Sequence, residues 1–434
     1  MIAEQIEKAE KKSVFSHNEF GDQLISEFNI IEVNKILYIY DDGYYQADDK
    51  IIENKMIDLF PSILQRQRAE VLSYIKIKTH VNASHLKVNP YVINLKNTRL
   101  DIRTSKCLQF TPEAIEFDRI PVTYNPSAYC ADLDKMLNRV FCGDREVLNL
   151  FEEMLGSILI KHNRFQKAFL FYGSGSNGKS TILDLIKQFL GTPNYSALAL
   201  EKVTDRFNTA ELENKLANIG DDIDNVGIKD TGTLKKLFSG GTVTVERKGE
   251  KPYTLESYAT HIYSCNTIPR SFDKTEGFYR RWLIIPFNAT SVVILSRFTV
   301  NDDDYDPMII DKITTDEALS YLLNLALKGA KRLLKLGKFT EPQSVKDALE
   351  AYKADNSTVI SWIDDLELTE DYLLDKPRDV LYSEFTDWCK ISGVRQNNIT
   401  GKKAFNKEII NKFDFEERPV QRNHDKKRYF MQKI

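Results

Sequence analysis

The stretch FLFYGSGSNGKST, residues 169–181, joins a short apolar run to a loop of glycine and serine. The loop matches the pattern G-x-x-x-x-G-K-[ST] in full, beginning at Gly173 and ending at Ser180. AFLFY at 168–172 predicts a buried strand, and TILDLIKQFL at 181–190 has the apolar spacing of a helix that ends at Gly191. This motif needs an entering strand and a leaving helix, so the sequence predicts an α/β fold built around a phosphate-binding loop.

The glycines of this loop allow main-chain N–H groups to close around phosphate oxygens, in front of the positive end of the next helix. Lys179 is expected to reach the β- and γ-phosphates of ATP, and the Ser180 hydroxyl to hold Mg²⁺, with Thr181 as a less favoured substitute. The alternative is a glycine-rich turn that binds nothing, which the flanking strand and helix disfavour. The residues predicted to surround the phosphates are Gly173, Ser174, Gly175, Ser176, Asn177, Gly178, Lys179, Ser180 and Thr181.

Length and composition set the broad class of the protein. The 434 residues suffice for two to four domains, and a hydrophobic content of 42% fills ordinary cores. No apolar run approaches the roughly 18 residues of a membrane span. The charged start Met1–Lys12 lacks a signal-peptide core, so we expect a cytoplasmic protein, in a bacterial host, with no membrane partner. Five widely spaced cysteines without a C-x-x-C pair predict free thiols, and neither a zinc site nor disulfides.

Basic residues are concentrated at the C-terminal end, although the net charge of the chain is −3. Between Gly401 and Ile434 there are ten Lys or Arg and five Asp or Glu. Such a tail is a solvated face in many proteins, and it is also typical of a DNA-binding module. The predicted helices LYSEFTDWCKIS (381–392) and KKAFNKEIINKF (402–413) are followed by the strand KKRYFMQKI (426–434), an order that suits a winged helix.

Five segments are predicted along the chain. ILYIYDDGYYQADD from Ile36 predicts a hairpin, and YVINLKNTRLDI from Tyr91 predicts another pair of strands. An amphipathic helix is expected from Thr314 to Gly337, with Thr314 and Glu317 as its capping box, and the segment from Leu366 is the expected linker. The segments are an α+β domain (1–125), a helical collar-like segment (126–165), the phosphate-loop core (166–290), a helical segment that completes the motor (291–365) and a basic winged-helix-like domain (366–434).

Two adjacent carboxylates follow a moderately apolar run in KLANIGDDID, from Lys215. If that run is a strand, Asp221 and Asp222 lie at its carboxyl end, where ligands bind in open α/β sheets. Asp221 would then hold Mg²⁺ and Asp222 would orient the attacking water. Asn218 and Gly220 make the strand a poor one, so a pair of acids in a surface turn is the alternative.

An amide and two arginines follow in the same part of the chain. ATHIYSCN from Ala259 is an apolar run that ends at Asn266, whose side chain could hydrogen-bond the γ-phosphate or the water. FYRRWLIIPF from Phe278 places Arg280 and Arg281 at the head of a third apolar strand, where an arginine could neutralise charge on a nucleotide in a neighbouring subunit. Taken singly, Asn266 is a strand-end residue and Arg281 a surface cation; their order along the chain favours the catalytic interpretation.

A hairpin is predicted between the acids and the amide. Val243 and Val245 alternate with polar residues before a turn at Lys248-Gly249, and the pattern resumes at Tyr253. Three cations are predicted at the tip, where they would grip a nucleic acid backbone: Arg247, Lys248 and Lys251. A tip that is charged only to remain soluble is the alternative.

This order of motifs resembles that of the superfamily 3 helicases. GSGSNGKS, LANIGDDID, the basic hairpin, YSCNTIP and FYRRWLIIPF are similar to that superfamily's Walker A, Walker B, B′ hairpin, motif C and arginine finger. More closely, the chain resembles the poxvirus-type and satellite-phage-type primase–helicases of phages, plasmids and mobile islands. YVINLKNTRLDI, FTPEAIEFDRIPVTYNPSA and the helices before Gly173 resemble the domain that precedes their motor.

The resemblance implies an AAA+-like ATPase that forms a ring, a hexamer, and moves on single-stranded DNA from 3′ to 5′. Its expected partners are single-stranded and forked DNA, origin duplex, further copies of the chain, and replication proteins of the element or host. The N-terminal primase of longer relatives is not expected, because the chain begins too late to hold one. An ATPase-controlled origin-melting initiator is the alternative function, and a DNA packaging motor is a third.

Overall fold

Two units make up the chain, Met1–Asn125 and Pro126–Ile434. The computed structural model describes residues 15–82, 86, 88–174, 177–221, 223, 228, 230–271, 273–288, 308–394, 396, 399–422 and 425–433.

The first unit combines helices with two small antiparallel sheets of three strands each, β1-β2-β3 and β4-β5-β6. The predicted hairpin from Ile36 is confirmed, because β2 and β3 pair and the chain turns at Asp42 (φ 51°) and Gly43 (φ 89°). The second predicted pair of strands is confirmed as β4 and β5. The described elements are α1 (His17–Phe28), β1 (Ile30–Val33), β2 (Ile36–Asp41), β3 (Tyr44–Gln46), α2 (Asp49–Leu59), α3 (Gln65–Lys78), β4 (Val92–Asn94), β5 (Arg99–Asp101) and β6 (Lys106–Leu108).

The second unit begins with helices and continues into a parallel sheet. Its first elements are α4 (Ala131–Val140), α5 (Arg145–Leu159), β7 (Ala168–Tyr172), α6 (Lys179–Leu190), β8 (Tyr195–Ser196), β9 (Ala217–Gly220), α7 (Thr231–Phe238), β10 (Val243–Val245), β11 (Tyr253–Leu255), β12 (Thr260–Cys265), α8 (Glu276–Tyr279) and β13 (Trp282–Pro286). The later elements are α9 (Ile309–Ile313), α10 (Asp316–Leu336), α11 (Gln343–Asp355), α12 (Thr358–Asp365), α13 (Glu370–Asp375), α14 (Arg378–Ile391), α15 (Lys402–Phe413), β14 (Phe415–Arg422) and β15 (Asp425–Gln432).

The main sheet has five strands in the order β13-β7-β12-β9-β8, and its neighbouring strands run parallel. β12 therefore lies between β7 and β9, although it follows both in the chain. Parallel strands end at the same edge of a sheet, so the residues after β7, β9 and β12 are neighbours in space. The predicted α/β class is borne out by this mixed fold with a parallel sheet.

β9 is a fully buried strand even though it contains Asn218 and Gly220. The Asn218 amide bonds the neighbouring segment, accepting from Leu198 N (2.9 Å) and donating to Leu198 O (2.9 Å). The Asn218 side chain thus pairs with the Leu198 main chain as a neighbouring strand would. A buried amide whose hydrogen bonds are satisfied costs little stability. At Gly220, a Cβ atom would lie 2.7 Å from Leu198 O. Asn218 and Gly220, which weaken the strand pattern in the sequence, therefore both allow the Leu198 backbone to lie close to β9.

α5 and α10 pack with their backbones in direct contact at two glycines, Gly156 and Gly329. A Cβ atom on Gly329 would lie 1.9 Å from Glu152 O, and one on Gly156 would lie 2.2 Å from Ala330 N. Beside the crossing, Arg332 donates to Glu153 Oε1 (2.6 Å) and to Glu152 Oε2 (2.9 Å). The buried carboxylates are paired, so the crossing joins the helix before the sheet to the helix after it without an uncompensated charge.

The cap of α10 differs from the prediction. Its N-cap is Thr315, whose side chain accepts from Ala318 N, so the predicted capping box of Thr314 and Glu317 is wrong. Thr314 instead ends α9 and donates to Ile310 O (2.7 Å). Either threonine could cap a helix by its chemistry. Thr315 caps α10 because Thr314 is already the C-cap of α9.

The segment from Leu366, expected to be a linker, contains α13, and Leu373 of that helix is fully buried. It belongs to a cluster that joins α12 to the last helices and to the β14–β15 hairpin. We call residues 357–433 the C-terminal module. Its buried apolar residues are Val359, Trp362, Ile363, Leu373, Leu381, Phe385, Cys389, Val394, Phe405, Ile409, Phe415 and Phe430.

No helix in the described ranges has both the length and the apolar character needed to cross a membrane.

The glycine crossing gives a prediction about stability. Gly329→Ala should lower the free energy of unfolding by about 1–3 kcal/mol or more, because the added methyl overlaps the α5 backbone and the helices must move apart. Gly232→Ala in α7 is the matched control, since its Cβ would meet its nearest atom at 3.4 Å. Urea unfolding of both variants checks this, and equal stability of the two would contradict the close crossing.

Candidate phosphate-binding site

The glycine-rich loop connects β7 to α6 as the sequence predicts. Gly178 caps the helix with φ 86°, and a Cβ atom there would lie 2.8 Å from Val140 Cγ2 of α4. A residue with a side chain would be strained in this left-handed conformation and would also push α4 away. Gly175 and Ser176 lie outside the described residues.

Lys179 begins α6 and is 7% exposed. Its ammonium group donates to Gly173 O (2.5 Å), Asn177 Oδ1 (3.2 Å) and Asn266 Oδ1 (3.1 Å). The positive charge thus lies at the N-terminus of a helix, among the carbonyl dipoles of the loop. A cation in this position favours an anion such as phosphate, because the helix dipole and the free N–H groups act in the same direction.

The predicted acid and amide lie at the same sheet edge. Asn266 directly follows β12, and Gly173 N donates to Cys265 O (3.3 Å) across the β7–β12 pair. Asp221 directly follows β9 and accepts from Ser264 Oγ of β12 (2.6 Å). The structure therefore brings Lys179, Asn266 and Asp221 together, whereas Asp222 lies outside the described residues.

Ser264 was not predicted from the sequence. It is 2% exposed and holds the Asp221 carboxylate in place. The signal was present, since Ser264 interrupts an apolar strand two residues before Asn266, but its partner becomes evident only when β12 lies beside β9.

The predicted magnesium ligands are Ser180, which is exposed, and Asp221, whose side chain is 39% exposed. A hydroxyl and a carboxylate are hard oxygen ligands, and Mg²⁺ is usually held by one or two such groups together with phosphates and waters. The donor set therefore fits this ion. Within the described ranges, no group of three or more His, Cys, Asp or Glu residues could hold a metal by itself.

The side chain of Asn177 is committed to the fold. It is 2% exposed, donates to Phe287 O at the end of β13 (3.0 Å) and accepts from Lys179. Asn177 is predicted among the phosphate-binding residues, and with its side chain occupied that role would fall to its main-chain N–H. Its amide side chain instead closes the loop against the sheet.

The two arginines lie where the parallel strands β7 and β13 begin, at the end of the sheet opposite to the phosphate loop. Ala168 N, at the start of β7, donates to Arg281 O (2.7 Å), and Trp282 is the residue paired with Ala168. The five residues of β7 separate this point from the loop by roughly 16 Å at the usual rise of a strand. Neither arginine can therefore reach the phosphate loop of its own chain.

The environments of these arginines differ. Arg280 is exposed and donates to Gln166 Oε1 (3.2 Å). Arg281 is half-buried, and its guanidinium donates to Gly277 O of α8. Burial, followed by the nearby charge of Arg280, lowers the pKa of Arg281. Arg280 is the one whose head group is more accessible to another molecule.

The predicted hairpin is confirmed as β10 and β11, with Val245 paired to Tyr253. Lys248 and Lys251 are exposed at its tip. Arg247 differs from the prediction that placed it with them, because its guanidinium bonds Glu213 and lies 5.1 Å from the centre of the Tyr253 ring.

Tyr253 completes this contact by donating to Glu213 Oε2 (2.7 Å), and burial together with that hydrogen bond raises its pKa. Arg247 therefore fastens the hairpin to the loop before β9. The sequence could not show this, since Glu213 lies 34 residues earlier.

Two family models match parts of the chain. Residues 10–142 match the model described as D5 N terminal like, and residues 171–281 match a family of unknown function (DUF5906).

Relatives among viral proteins align at low identity. "Putative helicase 121R" of Invertebrate iridescent virus 3 is 22% identical over 366 residues, which cover 76% of this chain and 38% of that protein. "Putative helicase 184R" of Invertebrate iridescent virus 6 is 24% identical over 322 residues, which cover 64% and 32%. "Putative helicase L207/L206" of Acanthamoeba polyphaga mimivirus is 25% identical over 152 residues, which cover 33% and 16%. The chain thus spans less than two fifths of these relatives' length.

A solved structure shares the fold. The apo A form of the NrS-1 C terminal region-CTR superposes with a TM-score of 0.51 at 14% identity, covering 97% of this chain and all of that one. A second apo structure, of the NrS-1 C terminal region (305-718), gives a TM-score of 0.50 at 14% identity. The match to the D5 N terminal like model and the viral relatives with helicase names point to a D5-like primase–helicase family, whereas the solved structures show a shared fold.

Asn177 provides the prediction for this site. Asn177→Ala should lower the free energy of unfolding by about 1–3 kcal/mol, because Phe287 O and Lys179 each lose a partner in a buried position. Asn138→Ala on the exposed face of α4 is the control, and we expect a change within about 0.5 kcal/mol. Chemical denaturation measures both, and an Asn177→Ala variant as stable as the control would show that the amide does not close the loop.

Proposed function

We propose that the chain is an ATP-dependent replicative DNA helicase of superfamily 3, working as a ring on single-stranded DNA for a phage or mobile element. The observation that carries this proposal is the contact between Lys179 Nζ and Asn266 Oδ1 (3.1 Å), with Asp221 at the same sheet edge. A lysine, an amide and a carboxylate on a phosphate loop are the groups that a nucleotide hydrolase needs. The viral relatives with helicase names support the same function.

In this proposal, Lys179 exchanges its contacts with Gly173 O and Ser174 O for oxygens of the β- and γ-phosphates. Asn266 is already bonded to the lysine, so its amide is placed to hold the γ-phosphate or the attacking water. Ser180 and Asp221 would hold Mg²⁺, which would supply positive charge beside the phosphates. Asp222 orients the water by sequence analogy.

An arginine completes the site from the adjacent subunit. The arginine pair lies at the sheet edge opposite its own loop, so it can serve a phosphate only in another copy of the chain. We assign the contact across the boundary to Arg280, which is exposed, and assign to Arg281 the task of holding α8 through Gly277 O. A shared site of this kind requires an oligomer, and the hexamer implied by the resemblance satisfies the requirement.

DNA contacts are assigned to the hairpin tip and to the C-terminal module. Lys248 and Lys251 are exposed, so they can pair with phosphates of a single strand, and motion of the hairpin with the nucleotide state would give 3′-to-5′ translocation. In the module, α14, α15 and the β14–β15 hairpin follow in the order of a winged helix. Its basic residues suit a duplex, which also favours origin binding by an ATPase-controlled initiator as a second function.

The phosphate loop provides the test of this function. Lys179→Ala should remove ATP hydrolysis and the unwinding of a forked duplex, because it removes charge at the β- and γ-phosphates. Lys335→Ala is the matched control, since Lys335 is exposed near the end of α10 and lies outside the residues assigned to ATP or DNA. Both activities are measured with and without single-stranded DNA. Normal turnover by Lys179→Ala would overturn the enzymatic function, and ATPase without strand separation would favour the initiator.

The hairpin provides a second test. Lys248→Glu combined with Lys251→Glu should leave basal ATPase intact and abolish its stimulation by single-stranded DNA, because attraction to phosphates becomes repulsion. Lys335→Glu combined with Lys338→Glu makes the same change in net charge at exposed positions near the end of α10. Stimulation is titrated at two salt concentrations. If the hairpin variant and the control respond alike, the DNA follows a different path.

A further inference from the structure

The segment between β12 and β13, residues 269–281, ends at the two arginines and is held by three other parts of the second unit. Phe272 within it lies outside the described residues. α8 occupies its last turn, from Glu276 to Tyr279, and Arg280 follows directly. Any shift of the residues before α8 therefore reaches the arginines through a single helical turn of about 6 Å.

Asp273 connects this segment to the hairpin. Its Oδ2 accepts from Lys235 Nζ (2.8 Å), and Lys235 belongs to α7, the helix that leads into β10. Its other oxygen accepts from Thr275 N (3.0 Å) and Thr275 Oγ1 (2.6 Å), at the N-cap of α8. One carboxylate thus joins α7, which leads into the hairpin, to the N-cap of the helix that directly precedes Arg280.

Lys274, the next residue, connects the segment to the C-terminal module. Its ammonium group donates to Thr358 Oγ1 at the start of α12 (2.7 Å) and to Thr400 Oγ1 before α15 (3.4 Å). The two hydroxyls are 3.0 Å apart and are 6% and 9% exposed. Burial lowers the pKa of Lys274 to about 8, while the Glu408 carboxylate and Cys389 act in the opposite direction.

Other contacts fix the remainder of the segment. Tyr352 OH of α11 donates to Pro269 O (2.9 Å), and Ser271 N donates to Asn356 Oδ1 (2.8 Å). The Tyr279 and Tyr352 rings meet edge to face at 5.9 Å. The segment is therefore anchored at both ends, and Asp273 and Lys274 are adjacent charged residues between the anchors that contact different structural parts.

We propose that Asp273 and Lys274 are positioning residues that couple the DNA-binding hairpin and the C-terminal module to the arginine pair. The proposal rests on the proposed function, in which Arg280 of that pair serves the nucleotide of a neighbouring subunit and Arg281 holds α8. DNA held by the hairpin acts on the segment through Lys235 and Asp273, and duplex held by the module acts through Thr358, Thr400 and Lys274. Both inputs set the position of Arg280, so DNA binding in one subunit controls hydrolysis in the next.

Lys274→Met tests this, because it keeps the aliphatic stem and removes the bond to the two threonines. We expect unchanged binding of a fluorescent ATP analogue, an unchanged KM and a fall of about 100-fold in the DNA-stimulated kcat, the effect of a misplaced group of about 1 Å. Thr358→Val should reproduce the fall and Thr358→Ser should not, since serine keeps the hydroxyl. Lys335→Met is the control for the loss of an exposed lysine charge outside the C-terminal module.

Mixed assemblies separate a positioning role from a structural one. Lys179→Ala subunits keep the arginines and lack a working loop, whereas subunits with both Arg280→Ala and Arg281→Ala keep the loop and lack the arginines. Lys274→Met subunits should regain ATPase when mixed with the former, which supply well-placed arginines. Lys274→Met subunits should not restore ATPase to the double arginine variant, because its loops would then depend on the misplaced arginines of the Lys274→Met subunits.

Restored activity in the second mixture would overturn the proposal, because Lys274 would then be dispensable for presenting the arginines. Failure in both mixtures would overturn it as well, since the substitution would then damage its own site or its fold. A mixture of Lys179→Ala with the double arginine variant is the reference. Its failure to recover, when the wild type is active, would refute the shared site and with it this coupling, whereas an inactive wild type would refute the proposed function itself.

Discussion

The hydrogen bond between Lys179 and Asn266 depends on the pairing of β12 with β7, and β9 on the other side of β12 adds Asp221. Lys179 follows β7, Asp221 follows β9, and Asn266 follows β12, so the strand order alone brings three distant residues to one edge. The rest of the second unit maintains this order. Asn218 fastens β9 to Leu198, Asn177 fastens the loop to the end of β13, and Val140 of α4 contacts Gly178. Each contact would be lost if a strand were exchanged.

The same sheet separates the two halves of the proposed reaction. β7 begins beside Arg281 and ends at the phosphate loop, so this one strand separates the chain's own phosphate loop from the arginines proposed to serve a neighbouring subunit. Because β7 is buried on both sides and paired to β12 and β13, it behaves as a rigid spacer. Adjustment of the arginines is then left to the segment before β13, where charged side chains contact the hairpin helix and the C-terminal module.

Local sequence patterns predicted the parts whose causes are local. β7, α6 and the hairpin were found because an apolar run, a glycine-rich loop or a period of two lies within a few residues. The position of Asp221 at the end of a strand was predicted too. Asn218 made that strand look poor, because the Leu198 backbone that satisfies its amide lies 20 residues away in the sequence. The four-residue α8 was missed, since so short a helix has no period to detect.

Long-range partners account for the contacts that local patterns did not show. Asn177 and Arg247 received functional roles from their positions, but Phe287 and Glu213 occupy their side chains, at separations of 110 and 34 residues. The segment from Leu366 was predicted to be a linker, but Leu373 is buried through contacts with distant parts of the C-terminal module. Side-chain roles of this kind depend on tertiary contacts that no window of sequence contains.

The crossing of α5 and α10 also has a consequence for the newly made chain. α5 is buried along nearly its whole length, yet α10, which covers it, begins 157 residues after α5 ends. At ribosomal rates this separation is on the order of ten to thirty seconds of synthesis. During that interval the face of α5 that packs on α10 lacks its partner helix, and exposed apolar surface of this kind promotes aggregation. Release of a truncated chain before Asp316 would make that exposure permanent.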